Sequence, residues 1–158
     1  MRIHILIVLS VILTNCSSKT KIVKVNPNQY DSTLAKKLGA DQFGMKTYVM
    51  AFLKKGPKRS TDTIKAKNLL LAHLHNIERL AEEGKLIVAG PFLDDQDIRG
   101  IYIFNVNTLE EAKKLTETDP AIQEGYLVME LHPWYGSAAL IEVTNIHKKL
   151  QKKNITEQ

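Results

Sequence analysis

LLLAHLHNIERLAEEGKLIVAGPF, residues 69–92, reads as the end of an amphipathic helix, a glycine stop and a buried strand carrying Gly-Pro. Ala66, Leu70, His73, Ile77, Leu80 and Gly84 recur at spacings of four, three, four, three and four. That is the period of one helical face, and His73 sits in the middle of the apolar stripe. His75 lies roughly 200° further around, at ~3.6 residues per turn, and shares the outer face with Arg79 and Glu82. One histidine is therefore expected to point inward and the other outward.

Working outward, the helix is expected over 64–83 with Gly84 as its C-cap, and a strand over 86–93. Four apolar residues before Gly90 predict burial on both faces of that strand. Pro91 has no N–H for the ladder, so the strand lies at an edge or carries a bulge. Gly90 lets another backbone or a ligand approach closely. Upstream, KTYVMAFLK (46–54) predicts a first strand and KGPKRSTDT (55–63) a loop. In that loop Lys58 and Arg59 are open to two readings, an anion site at an entrance or solvated charges. Downstream, the acidic residues 94–97 lack the spacing and terminal Glu of a calcium loop and read as a solvated hairpin turn. GIYIFNV (100–106) is a third strand. TLEE (108–111) is a capping box that starts a helix at Leu109, running to about residue 117. Asp119-Pro120 is an N-cap and first helical residue for a short turn over 121–124. Residues 126–131 form a fourth strand that reaches His132-Pro133-Trp134-Tyr135. A final helix is expected over 137–151, with Ala138, Ile141, Ile146 and Leu150 on its apolar face. Its basic end complements the helix dipole; contact with anionic lipid is the lesser reading of the same lysines.

The order βαββαβ plus a C-terminal helix predicts an α+β, ferredoxin-like fold with both main helices on one face of an antiparallel sheet. The opposite face needs cover, and no remaining segment is obviously long enough to supply it. Pairing of two sheets face to face in a homodimer is the expectation.

A length of 158 residues suits one domain plus tails. The formal charge of +5 is not spread evenly. Residues 46–135 hold 12 Lys/Arg against 13 Asp/Glu, so the excess lies in the tails. A nucleic-acid partner, which requires a basic face on the domain itself, is not expected.

The opening MRIHILIVLSVILTNC has one basic residue, an apolar run over 3–13 and then Cys16, the chain's only cysteine. The run is too short to span a bilayer securely and has the length of a secretory core. It looks like a bacterial lipoprotein signal, although Asn15 replaces the usual small residue before the cysteine. The expected organisation is a signal over 1–16, a polar tether over 17–44 with a short helix near 32–38, the domain over 45–135, and a C-terminal helix and basic tail over 136–158. Lipidation at Cys16 would anchor an exported protein to a bacterial membrane, with no cysteine left for a disulfide. A plain signal peptide is one alternative, and a cytoplasmic protein starting at Met45 is another.

A His eleven residues before the Gly of EEGKL, then AGPF, a Thr-Asp-Pro after the second helix and a Pro-Trp after the last strand resemble the YciI (YCII-related) family. The resemblance covers about residues 46–135. It implies a dimeric α+β barrel and a His–Asp pair, here His73 and Asp119, as active site. Under that resemblance Asp119 fixes the tautomer of His73 and raises the basicity of its other nitrogen. The histidine then abstracts a proton beside a carbonyl or activates water. Gly90, Pro91 and Phe92 would admit substrate, with Trp134 and Tyr135 as an apolar wall.

The residues alone leave a second account open, a satisfied core histidine with Asp119 only a cap. Two functions are therefore carried: a membrane-tethered lyase, isomerase or hydrolase acting on a small carbonyl or carboxylate compound, and a non-catalytic ligand-binding or accessory lipoprotein. No metal site is expected, because His73 and His75 are not at i, i+4. His132 and His147 cannot be placed beside them from sequence, and no cofactor is expected.

Overall fold

The structure, a computed structural model, describes residues 29–58 and 61–157. The elements run α1 (Ser32–Leu38), β1 (Met45–Lys55), α2 (Thr63–Glu82), β2 (Leu86–Pro91), β3 (Ile98–Phe104), α3 (Leu109–Thr116), α4 (Pro120–Gln123), β4 (Leu127–Ser137) and α5 (Val143–Leu150). Short 3-10 turns occupy Ala138–Glu142 and Ile155–Glu157. The chain divides into two units, Met1–Tyr30 and Asp31–Gln158, and every element belongs to the second. The expected signal with Cys16, most of the tether, and Arg59 lie outside the described residues.

Local chemistry sets the ends of the helices. The Asp62 carboxylate accepts the N–H groups of Ile64 and Lys65 at 2.9 and 3.1 Å and starts α2. Gly84 ends it at φ 66°, a conformation that costs glycine little, while the Lys85 N–H closes on the Leu80 carbonyl at 2.9 Å. At α3 the Thr108 hydroxyl accepts the Glu111 N–H, and the Glu111 carboxylate accepts the N–H of Asn107 in return.

The strands form one antiparallel sheet in the order β2-β3-β1-β4, the ferredoxin-like arrangement. Because side chains alternate between faces, Val49, Ala51 and Leu53 of β1 meet Tyr102 and Phe104 of β3 on the helix side. Leu80, Leu86, Val106 and Ala112 complete that core. A fully buried Leu or Phe there contributes on the order of 1.5–3 kcal/mol. β2 is an edge strand, as Pro91 requires. Its register shifts between Leu86 and Val88, which sends Ile87 and Val88 together to the other face. This bulge explains the run of apolar residues that continuous burial on both faces was expected to explain. The close approach expected at Gly90 falls instead at Gly100, where a Cβ would lie 2.6 Å from the Gly90 carbonyl oxygen.

Three expectations are corrected. Leu70 is exposed, and the buried line of α2 is His73, Asn76 and Leu80. β4 continues through Trp134 and Tyr135 to Ser137, and the final helix breaks into a 3-10 turn followed by α5. Part of the second sheet face also finds cover within the chain, while Val128 of β4 on the same face stays 42% exposed. Leu140 and Ile141 of the 3-10 turn pack on Tyr48, Ile87 and Ile103, with Val88 and Trp134 alongside. The Tyr48 hydroxyl donates to the Ser137 carbonyl at 3.0 Å and fixes the turn's start. From there the chain passes the β2 edge as α5 and returns to α2, where Asn154 and Thr156 both donate to the Glu78 carboxylate. Such a strap protects an edge strand from further pairing.

Candidate active site

His73 comes from the buried line of α2, and Asp119 from the turn between α3 and α4. Asp119 caps α4 with one oxygen, Oδ1 accepting the Ala121 N–H at 2.9 Å. The cap geometry turns Oδ2 toward α2, where it lies 2.6 Å from His73 Nδ1. The aspartate is 0% exposed and the histidine 9%. At that distance and burial the contact is a strong charge-assisted hydrogen bond. The two sequence readings of Asp119, cap and histidine partner, are therefore both true, one for each oxygen.

Tyr102 is the member that sequence reasoning missed. Its ring stacks near His73, centroids 6.2 Å apart and planes at 18°, and its hydroxyl lies 3.3 Å from His73 Nε2. Burial, and secondarily the charge of Asp119, push the phenol far above its ordinary pKa. The hydroxyl consequently stays protonated; Asp119 Oδ2 can only accept, which places an N–H on Nδ1, and in the neutral ring the hydroxyl donates to Nε2. One tautomer satisfies both contacts, with the proton on Nδ1 and a lone pair on Nε2. Ring-nitrogen NMR at neutral pH is expected to show a protonated Nδ1 and a bare Nε2 for His73; the opposite tautomer would contradict this arrangement.

A second rung lies one turn along α2. Asn76 Oδ1 and the Thr118 hydroxyl both accept from Arg79 Nη2, at 2.8 and 2.9 Å. Arg79, expected on the outer face, thus clamps α2 to the turn that presents Asp119. Asn76 Nδ2 is buried with no partner among the described residues.

The remaining expected site residues separate by strand register. Tyr102 pairs with Ala51 on one side and Ala89 on the other. Ala89 and Pro91 share the helix-side face with Tyr102, and both are exposed. They form a shelf of small side chains beside the tyrosine. Phe92 follows at the strand's end, half-exposed, its N–H bonded to the Arg99 carbonyl. Gly90 and Trp134 belong to the opposite face, where the Trp134 ring lies 5.9 Å from Tyr48. Tyr135 returns to the helix side but pairs with Thr47, four residues along β1 from Ala51, about 13 Å at ~3.3 Å per residue. Its hydroxyl donates to Asp41 and holds that carboxyl below the ordinary range. Trp134 and Tyr135 therefore do not wall the His73 site within one copy of the chain.

Lys58 packs along Gly125 and braces the turn before β4. Asp95 bridges Lys55 and Arg99 at 3.3 and 2.7 Å. His132 pairs with Glu130 at 2.8 Å on β4, and His147 lies on α5, so neither joins His73. Among the described residues no three His, Cys, Asp or Glu converge on a common point.

No curated protein matches the chain. Among solved structures it is similar to the 5-chloro-2-hydroxyhydroquinone dehydrochlorinase of Burkholderia phenoliruptrix, determined in complex with 2,5-dihydroxybenzoquinone. That similarity has 24% identity and a TM-score of 0.41, covering 54% of this chain and 92% of that one. The family model of the YCII-related domain matches residues 47–135, more than half of the chain, from most of β1 through most of β4. The chain belongs to the YCII-related domain family.

Proposed function

We propose that the domain is an enzyme that moves a proton on a small carbonyl or carboxylate compound, with His73 as general base. The observation that carries this reading is the three-membered line Asp119–His73–Tyr102. A buried carboxylate holds Nδ1–H, and the lone pair of Nε2 is met only by a phenol at the long distance of 3.3 Å. A substrate entering over the Ala89–Pro91 shelf would take the proton-donor contact of Tyr102 onto its own oxygen. Nε2 would then be free to accept a proton from the adjacent carbon. This chemistry fits a lyase or isomerase, and activation of water by the same nitrogen fits a hydrolase. The reading includes a membrane tether through lipid on Cys16.

The depth of the pair favours one other reading, a ligand-binding protein in which His73 and Tyr102 recognise an oxygen and no bond is broken. In either case the shelf is the way in. Ala89→Trp is expected to fill it while leaving the exposed edge strand folded. In a thermal-shift screen of small carbonyl and carboxylate compounds, ligands that stabilise the wild type should lose at least about tenfold in affinity, ~1.4 kcal/mol, against Ala89→Trp. Equal stabilisation of both proteins would place the site elsewhere.

A further inference from the structure

We propose that α5 is a membrane-contact surface that lays its apolar stripe on an anionic lipid bilayer. The helix contributes no buried residue to the fold. Yet Val143, Ile146 and Leu150 fall on one face at i, i+3 and i+7, exposed by 36, 54 and 76%. Such a stripe is ordinarily turned toward a core. Here the chain is anchored on both sides of it, by Leu140 and Ile141 on the sheet and by Asn154 and Thr156 on Glu78. The anchors fix the helix against the β2 edge with its stripe facing away from the core.

Charge decides which partner fits. Residues 143–158 contain Lys148, Lys149, Lys152 and Lys153 against a single acidic residue, Glu157. A second copy of the chain docking through the same face would bring these lysines together, whereas an anionic headgroup layer attracts them. Lys149 borders the stripe, about 60° from Ile146 at ~3.6 residues per turn, and Lys152 and Lys153 follow the helix end, while Lys148 lies on the other side; an apolar stripe with a basic border is the composition of an interfacial helix. Among the described residues no helix is long and apolar enough to cross a membrane, so the contact is peripheral. It does not depend on the chemistry at His73.

The test is vesicle flotation of the full chain, with phosphatidylcholine alone and with phosphatidylcholine containing phosphatidylglycerol. The apolar run at 3–13 is common to every variant, so the readout is the ratio of binding to the two vesicle types. The wild type is expected to prefer anionic vesicles and to lose the preference at high salt. Lys149→Gln should reduce the ratio about fivefold, the effect of one lysine near the surface. Ile146→Asp with Leu150→Asp should abolish the preference; if that pair lowers the melting temperature, the lysine variant decides alone. A ratio unchanged by the lysine variant overturns the proposal. So does a stripe variant that converts a dimer to a monomer in light scattering without changing the ratio, which would make α5 a contact between copies.

Discussion

Asp119→Ala is expected to lower the free energy of unfolding by about 2–4 kcal/mol. Two separate losses make up this figure. The Ala121 N–H loses its cap acceptor, a change that typically costs ~1 kcal/mol. The Nδ1–H of His73, already buried, loses its only partner, at about 1–3 kcal/mol. Asp119 combines both roles, with one carboxylate oxygen on a helix start and the other on a buried ring. Urea unfolding of the wild type and the variant measures the difference directly. A change below about 0.5 kcal/mol, the range of ordinary surface substitutions, would mean that the pair is not formed in solution.

Asp119→Asn separates the cap from the chemistry. Its Oδ1 can still accept the Ala121 N–H, so most of the stability should remain. Its amide, however, presents a donor where Oδ2 accepted. His73 must then accept at Nδ1 and carry its proton on Nε2, facing Tyr102. The variant is expected to fold and to bear the reversed tautomer, with no lone pair left for a substrate proton.

The fold was largely legible because its signals are local. Asp62, Gly84, Thr108, Glu111 and Pro91 each announce an element's end through their own hydrogen-bonding capacity, and the period of α2 put His73 inside and His75 outside. The failures are of another kind. Leu70 fits the helical period as well as His73 does, but it is exposed, and no periodicity contains where the neighbouring elements lie. The C-terminal segment reads as a single helix, since the break at Glu142 follows from docking Leu140 and Ile141 on Tyr48 and Ile103. Site residues divide in the same way. Asp119 declared itself as a cap, and the family resemblance paired it with His73. Tyr102 carried only its place in an alternating strand, GIYIF. Its neighbour across the edge, Ala89, depends on a bulge at Ile87 that no residue type there signals. Trp134 and Tyr135 are consecutive in a strand, so pleating alone prevents both from facing His73. Once 132–135 is recognised as strand rather than as loop, that objection is available from sequence.

His73→Asn is expected to remove proton transfer while keeping the buried contact. The asparagine amide can donate to Asp119 in place of Nδ1–H, so the carboxylate is not stranded, yet the variant holds no base. Loss of a positioned general base typically costs about 10²–10⁴-fold in rate, a larger effect than any other substitution proposed for this domain. His73→Ala is a poorer test of the same point, because it leaves Asp119 buried with the Ala121 N–H as its remaining contact and confounds catalysis with folding.

The most direct measurement is exchange of solvent deuterium into the carbon next to the carbonyl, followed by proton NMR. The compounds are those that raise the wild-type melting temperature, incubated with wild type and His73→Asn side by side. Exchange above the uncatalysed rate is expected with wild type and none above it with His73→Asn, both proteins being folded. Equal exchange with the two proteins, or binding without exchange in either, would contradict proton abstraction by His73 and leave a recognition site in its place.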